Sequence, residues 1–191
     1  MKTEVTPKLV NRQKPDAVIV ATGSRPIIPE IPGIKKPIVT TCIDLLLRRK
    51  KVGKEVVVVG GGLVGCETAL WLSQQGKKVT VVEMLPEIAS GVHHGQRIML
   101  LALLDRNKVE ILTDTSLQEV TDEGAIVVDR HSNRSTLRCD RVALALGLIP
   151  EKALYHSLVD GIPRLYEIGD CKDPRKILHA IWDGNTIGRE I

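Results

Sequence analysis

The chain of 191 residues contains no phenylalanine, only two tryptophans and two tyrosines. That leaves little flat aromatic surface on which bases could stack. The 27 basic and 23 acidic residues leave a formal charge of only +4, dispersed except for the short run Arg48-Arg49-Lys50-Lys51. Both facts argue against nucleic acid as a partner. The basic run reads as a solvated helix end, where cations face the negative pole of the dipole. Long apolar runs are missing too. The best candidate, Ile98 to Leu104, falls far short of the ~20 residues a membrane helix needs. The N-terminus carries no signal-peptide pattern, so the chain reads as a soluble cytoplasmic protein with no membrane partner. Cysteine is sparse: Cys42, Cys66, Cys139 and Cys171 form no C-x-x-C pair, which points away from zinc and iron–sulfur ligation within this segment. Free thiols are expected, with Cys66 a small apolar residue in the first turn of a helix. His93-His94 has no acid or histidine at supportive spacing and reads as a polar loop, so no metal site is expected.

What the chain does have is a glycine fingerprint near its middle. Lys54-Glu55-Val56-Val57-Val58-Val59-Gly60-Gly61-Gly62-Leu63-Val64-Gly65-Cys66-Glu67 reads as strand, turn and helix start, with Gly60, Gly62 and Gly65 at G-x-G-x-x-G spacing. The first glycine permits the tight turn, and the second lets backbone approach a pyrophosphate. The third lets helix and strand pack closely. The amides that open the helix, from Gly61 through Leu63 and Val64, are then aimed at phosphate. The flanks agree. Four consecutive valines suit a parallel strand covered on both faces, Leu63 to Gln75 is compatible with a helix, and Gly76 is a plausible stop. Lys78-Val79-Thr80-Val81-Val82-Glu83 reads as a second strand ending in an acid, near the distance at which a carboxylate accepts from an adenosine ribose. Met84 and Leu85 follow in place of an arginine, which favours NAD(H) over NADP(H), because a 2′-phosphate would meet like charge at Glu83.

A repeated template indicates how the chain is wired. Asp16-Ala17-Val18-Ile19-Val20-Ala21-Thr22-Gly23-Ser24-Arg25-Pro26 and Asp140-Arg141-Val142-Ala143-Leu144-Ala145-Leu146-Gly147-Leu148-Ile149-Pro150 share Asp, Val, Ala, Gly and Pro at equal offsets. Each reads as a short strand closed by a turn. The fingerprint lies between them, so roughly Val52 to Asp140 reads as a domain inserted into another. Within it, Gln96 to Asn107 is a predicted helix and Val109 to Leu112 a strand. Ser116 to Thr121, Ala125 to Arg130 and Thr136 to Arg138 form a predicted β-meander. After Pro150 come a short helix over Glu151 to Leu158, a strand over Arg164 to Ile168 and a helix over Lys176 to Ile191. The class is α/β: a Rossmann-like domain of parallel sheet plus meander, inserted in a second domain.

In order along the chain, Ala21-Thr22-Gly23, the Gly60-to-Glu67 fingerprint, Ala145-Leu146-Gly147-Leu148-Ile149-Pro150 and Ile168-Gly169-Asp170 resemble the landmarks of the two-dinucleotide-domain flavoproteins, the pyridine nucleotide-disulfide oxidoreductase superfamily. The ending, with Cys171 after Asp170 and Gly188-Arg189-Glu190-Ile191 at the terminus, is similar to iron–sulfur flavoenzymes of the 2,4-dienoyl-CoA reductase, enoate reductase and trimethylamine dehydrogenase type. The resemblance implies an NAD(P)-binding domain over 51–145, inserted in an incomplete FAD-binding domain split over 1–50 and 146–191. It implies that Thr22, Gly23, Gly147, Gly169 and Asp170 approach FAD or a bound ADP, with Asp170 accepting from a ribityl hydroxyl. The residues alone allow Asp170 to be an N-cap or turn acid instead. Glu67, taken to lie in the first helical turn, suits the dipole by about 0.3–1 kcal/mol. By the resemblance it also faces the nicotinamide side.

Nothing before Asp16 supplies the first strand, glycine turn and helix with which such proteins begin their FAD domain. The chain therefore reads as the C-terminal part of a larger flavoenzyme. Its missing N-terminal flavin domain is an expected partner, with FMN and an iron–sulfur cluster possible in that portion and a homodimer as a further expectation. The leading reading is the NAD(H)-binding portion of an oxidoreductase that passes hydride from NADH to flavin, inactive when isolated. No catalytic nucleophile or base is found. Two other readings stand beside it: a non-catalytic module that holds ADP or NAD, or part of an NADH oxidase or disulfide reductase.

Overall fold

The computed structural model describes residues 2–191. It divides into two compact units, the chain up to Pro26 together with Leu148–Ile191, and Ile27–Gly147. In chain order the elements are α1 (Pro7–Gln13), β1 (Val18–Val20), β2 (Ser24–Pro26), β3 (Val39–Thr41), α2 (Cys42–Leu46), β4 (Glu55–Val59), α3 (Leu63–Ser73), β5 (Lys78–Val82), α4 (His94–Arg106), β6 (Glu110–Leu112), β7 (Thr115–Val120), β8 (Gly124–Asp129), β9 (Arg134–Arg138), β10 (Arg141–Leu144), β11 (Leu148–Pro150), α5 (Ala153–Leu158), β12 (Leu165–Glu167), a 3-10 turn at Gly169–Cys171, and α6 (Ile177–Glu190).

In the Ile27–Gly147 unit, five parallel strands run in the order β3-β10-β4-β5-β6. The valine run of β4 explains why both faces are covered. Val56 and Val58 pack with Cys66, Ala69 and Leu72 of α3 and Leu100 and Leu104 of α4. Val57 and Val59, pointing the other way, pack with Val120, Ala125 and Val127 of the antiparallel meander β7-β8-β9. A strand alternates its side chains between faces, so only an unbroken apolar run can serve two layers. Full burial of each such side chain is worth ~1.5–3 kcal/mol. The meander thus covers the sheet face opposite the helices.

Residues 27–50 belong to this unit, which moves the expected boundary at residue 50 back to Pro26 and the one at 145 forward to Gly147. The reason is pairing that no local pattern announces. β3 lies along β10, Thr40 opposite Ala143, and α2 places Cys42 and Leu45 in the helix-side core. Thr41 caps α2 by accepting from the Asp44 amide at 3.1 Å. The basic run follows α2 rather than ending it: Arg48 turns the chain at φ +56 and Arg48 to Lys51 are exposed. His93-His94 is not a loop. His94 is the first residue of α4 and His93 occupies its N-cap without a capping side-chain bond. Among the described residues no group of histidine, cysteine or carboxylate side chains could hold a metal. Among them also, no helix is long and apolar enough to cross a membrane.

The other unit is built from two-stranded pieces. β1 pairs in parallel with β12, and β2 pairs antiparallel with β11, Pro26 opposite Leu148. Pro26 and Pro150, the ends of the repeated template, both sit on this short ribbon, where an edge strand tolerates a missing donor. Thr6 caps α1, its hydroxyl accepting from the Leu9 amide at 3.3 Å. α6 buries none of its residues, and Ile177 is 82% and Ile181 61% exposed.

Candidate functional site

The glycine turn joins β4 to α3. Gly60 adopts φ +107, donates to the Val82 carbonyl at 2.8 Å, and stands so close to the Ala145 carbonyl that a Cβ would collide with it. Gly65 is held as tightly, since its Cβ would strike the Gly60 carbonyl. Gly62 is the opposite case: it is the N-cap of α3, no side chain caps the helix, and a Cβ built on it would meet nothing within 4 Å. The exposed Leu63 and Val64 follow, and the first amides of a helix have no intrahelical acceptor. Two crowded glycines shape the turn while the open one presents the positive helix pole. That arrangement fits a pyrophosphate.

Glu83 lies just past β5 and is 9% exposed. Its Oε2 accepts from the Gly61 amide at 2.6 Å and its Oε1 from the Leu85 amide at 2.8 Å. The carboxylate is therefore fixed on the rim of the turn, and each oxygen retains acceptor capacity. The exposed Met84 and Leu85 come next, with no cation between them and the acid. The segment then folds back over the turn. Ile88 and Ala89 are buried, the Ala89 amide donates to the Gly61 carbonyl at 2.7 Å, and Ile88 Cγ2 fills the space a Gly61 Cβ would need. Arg97, in the first turn of α4, donates through Nε to the Ile88 carbonyl at 3.0 Å and pairs with Glu87 at 2.9 Å. Sequence reasoning missed Ile88, Ala89 and Arg97. The one local signal was an apolar pair inside an otherwise polar stretch.

Two details of the expected site are corrected. With Gly62 as N-cap, Glu67 is the fifth residue of α3, so no acid lies in the first turn. The orphan amides end before it, and the dipole contribution expected of Glu67 falls away within the first turn. It is exposed on the helix surface. Cys66, the fourth residue of α3, is fully buried and donates its thiol to the Gly61 carbonyl. Burial, reinforced by the charge of Glu83, pushes its pKa to about 11. Burial likewise pushes Cys42 to about 11, against a hydrogen bond from Thr68. Thiols so protonated are not nucleophiles at neutral pH.

The expected flavin-side residues fall in both units. Thr22, Gly23, Gly169 and Asp170 belong to the unit that includes both termini, and Gly147 to the other. The Thr22 hydroxyl donates to the Glu151 carbonyl at 2.6 Å, and the Glu151 amide donates to the Gly23 carbonyl at 2.9 Å. Ser24 donates to Asp170 Oδ2 at 3.2 Å. Asp170 sits inside the 3-10 turn rather than at the N-cap of α6, which is Lys176. Gly169 has φ +62, and its amide donates to Asp183 Oδ2, which Arg175 holds at 2.6 Å. Asp183, not foreseen from sequence, is thus the acid that occupies the Gly169 amide. Gly147 has φ +92 and its carbonyl accepts from Ile27 at 3.1 Å.

Comparison with known proteins places this geometry in context. The profile of the family described as "Pyridine nucleotide-disulphide oxidoreductase" matches residues 2–184. A cinnamate reductase of Clostridium sporogenes is 38% identical over 179 residues, which cover 92% of this chain and 26% of that protein. An NADH oxidase of Thermoanaerobacter brockii is 35% identical over 182 residues, 93% of this chain and 28% of that one. Among solved structures, a 2-naphthoyl-CoA reductase in complex with 2-naphthoyl-CoA superposes with a TM-score of 0.92 at 32% identity, over 100% of this chain and 29% of the other. The chain therefore spans between a quarter and a third of the length of these relatives.

Proposed function

The chain belongs to the pyridine nucleotide-disulphide oxidoreductase family of flavoprotein oxidoreductases, and from that premise we propose that it is the NAD(H)-binding portion of an FAD-dependent enzyme. The observation that carries the reading is the coupling of turn and acid: the Gly61 amide donates to Glu83 Oε2 at 2.6 Å, which spends that amide on the acid and fixes the ribose-binding carboxylate beside the phosphate-binding amides that open α3. In this reading the amides that open α3 bind the pyrophosphate, with Gly62 allowing its close approach. Glu83 accepts from the hydroxyls of the adenosine ribose. The apolar Met84 and Leu85 offer a 2′-phosphate no cation, so NADH is preferred over NADPH. Thr22, Gly23, Gly169 and Asp170 line the part that holds FAD or ADP. When bound, NADH supplies a hydride and flavin accepts it, so these residues need only position, and no nucleophile or base is required of them. The partner of the chain is the N-terminal flavin-binding portion of the same protein, and the chain alone binds NADH without oxidising it at enzyme-like rates.

Calorimetry with NADH, NADPH and ADP tests this. NADH is expected to bind at least tenfold more tightly than NADPH, and Glu83→Gln to lower NADH affinity about tenfold, ~1.4 kcal/mol. Equal affinity for NADH and NADPH, or a Glu83→Gln variant that binds as the wild type does, would overturn the reading. ADP binding as tightly as NADH would favour a scaffold that ignores the nicotinamide half.

A further inference from the structure

Gly61 is the one residue of the glycine turn whose amide and carbonyl are both engaged from outside the turn. Its amide goes to Glu83, and its carbonyl accepts from Ala89. The Met84–Ser90 strap that provides the second contact has no regular secondary structure and includes Ala89 at φ +52, a left-handed conformation that a residue with a Cβ adopts at a cost. A strained strap stays in place only when its surroundings over-determine it. Burial of Ile88 is one such constraint. Beside the Asp114 amide on the Leu85 carbonyl, 3.1 Å away, a further constraint is Arg97, whose planar fork reaches the Ile88 carbonyl at 3.0 Å and Glu87 Oε2 at 2.9 Å while its own backbone is anchored in α4.

We propose that Arg97 is a positioning residue for the dinucleotide site: by gripping Glu87 and the Ile88 carbonyl it seats the strap on Gly61, and so sets the Gly61–Glu83 pair on which the ribose is held. Arg97 is linked to the turn through the strap, by way of the adjoining Ile88 carbonyl and Ala89 amide. A lysine could replace only one arm of the grip, because the fork is what lets one side chain hold a carbonyl and a carboxylate at once. The inference rests on the proposed NAD(H) reading of the site.

The test uses the full chain with Arg97→Gln, Arg97→Lys, Ala89→Gly and the double variant Arg97→Gln/Ala89→Gly. NADH affinity is measured by calorimetry, and amide hydrogen exchange is followed by NMR. Arg97→Gln is expected to weaken NADH binding about tenfold, the scale at which supporting residues act on a site, with Arg97→Lys between it and wild type. Exchange at Gly61 and Ala89 should quicken while Val57 and Val58 in the sheet stay protected. Ala89→Gly removes the strain at φ +52, so the double variant should recover part of the affinity, and Tm measured on the same four variants separates that recovery from a gain in general stability. If wild type binds NADH and Arg97→Gln binds it within twofold as tightly, the inference falls while the functional reading stands. The inference falls equally if exchange quickens across the whole sheet in step with a falling Tm. Wild type failing to bind NADH overturns both. Should Arg97→Gln not fold, Arg97→Lys carries the measurement, with threefold weaker binding as the supporting result and unchanged binding as the opposing one.

Discussion

The two units solve the problem of burial differently. The Ile27–Gly147 unit covers a five-stranded parallel sheet on both faces and holds two clusters of buried side chains. In the other unit, of the apolar residues buried among those described, only Val10, Val20, Leu158 and Cys171 are found, and its sheets are two-stranded. Two strands alone are marginal in water. Meanwhile Ile19, Ile177, Ile181 and Trp182 remain 42% to 82% exposed. Similar apolar content does not make similar cores: the valines of β4 and β5 each meet a second layer, whereas no residue of α6 is buried. The glycine turn and Glu83 stand on the first kind of scaffold, which is where a site that must hold geometry is best built.

Three measurements sharpen or break that contrast. The largest effect is expected from Gly65→Ala, which forces a Cβ into the Gly60 carbonyl. It should cost about 2–3 kcal/mol and abolish NADH binding together with stability, read by thermal melting with and without NADH. Next, Val58→Ala, at a fully buried position, should cost ~2 kcal/mol, whereas Ile181→Ser on the exposed face of α6 should stay within about 0.5 kcal/mol. Comparable losses from the two would erase the distinction between the units. The smallest effect concerns Asp140, whose carboxylate accepts from the Lys54 and Glu55 amides at 2.6 and 2.9 Å. Those two bonds hold its pKa below the usual carboxylate range. A lowered folded-state pKa stabilises above the unfolded value, ~3.9 for aspartate, and the contribution is lost as pH falls through the folded value. Asp140→Asn should therefore melt lower than wild type at pH 5 to 8, and the gap should close below about pH 4. A gap that persists at pH 2 would assign the loss to something other than the charge.

Much of this was legible beforehand for a physical reason: hydrophobic periodicity and glycine spacing are local, and so are the features they specify. The valine strand, the helix stopped near Gly76, the three-stranded meander and the Gly60–Gly62–Gly65 turn all follow from contiguous residues. Residues 27–50 were misplaced because membership of a sheet depends on the pairing of β3 with β10, about a hundred positions apart. Glu67 falls outside the first turn because, with the helix opening at Leu63, it is the fifth residue and the orphan amides end before it. In the candidate site, Glu83 could be picked out by its distance from the glycines. The Ile88–Ala89 strap and its tie to Arg97 could not, because they exist only after an irregular segment has closed over the turn.

One last consequence follows from the bond between Ile27 and the Gly147 carbonyl, 3.1 Å long. It joins the first and last residues of the sheet-bearing unit, so this portion of the polypeptide begins where it finishes. A cassette with coincident termini can be spliced into a host fold, or moved between hosts, without stretching either. Seen in that light, the chain has a nested architecture, with the sequence of one unit interrupted by that of the other.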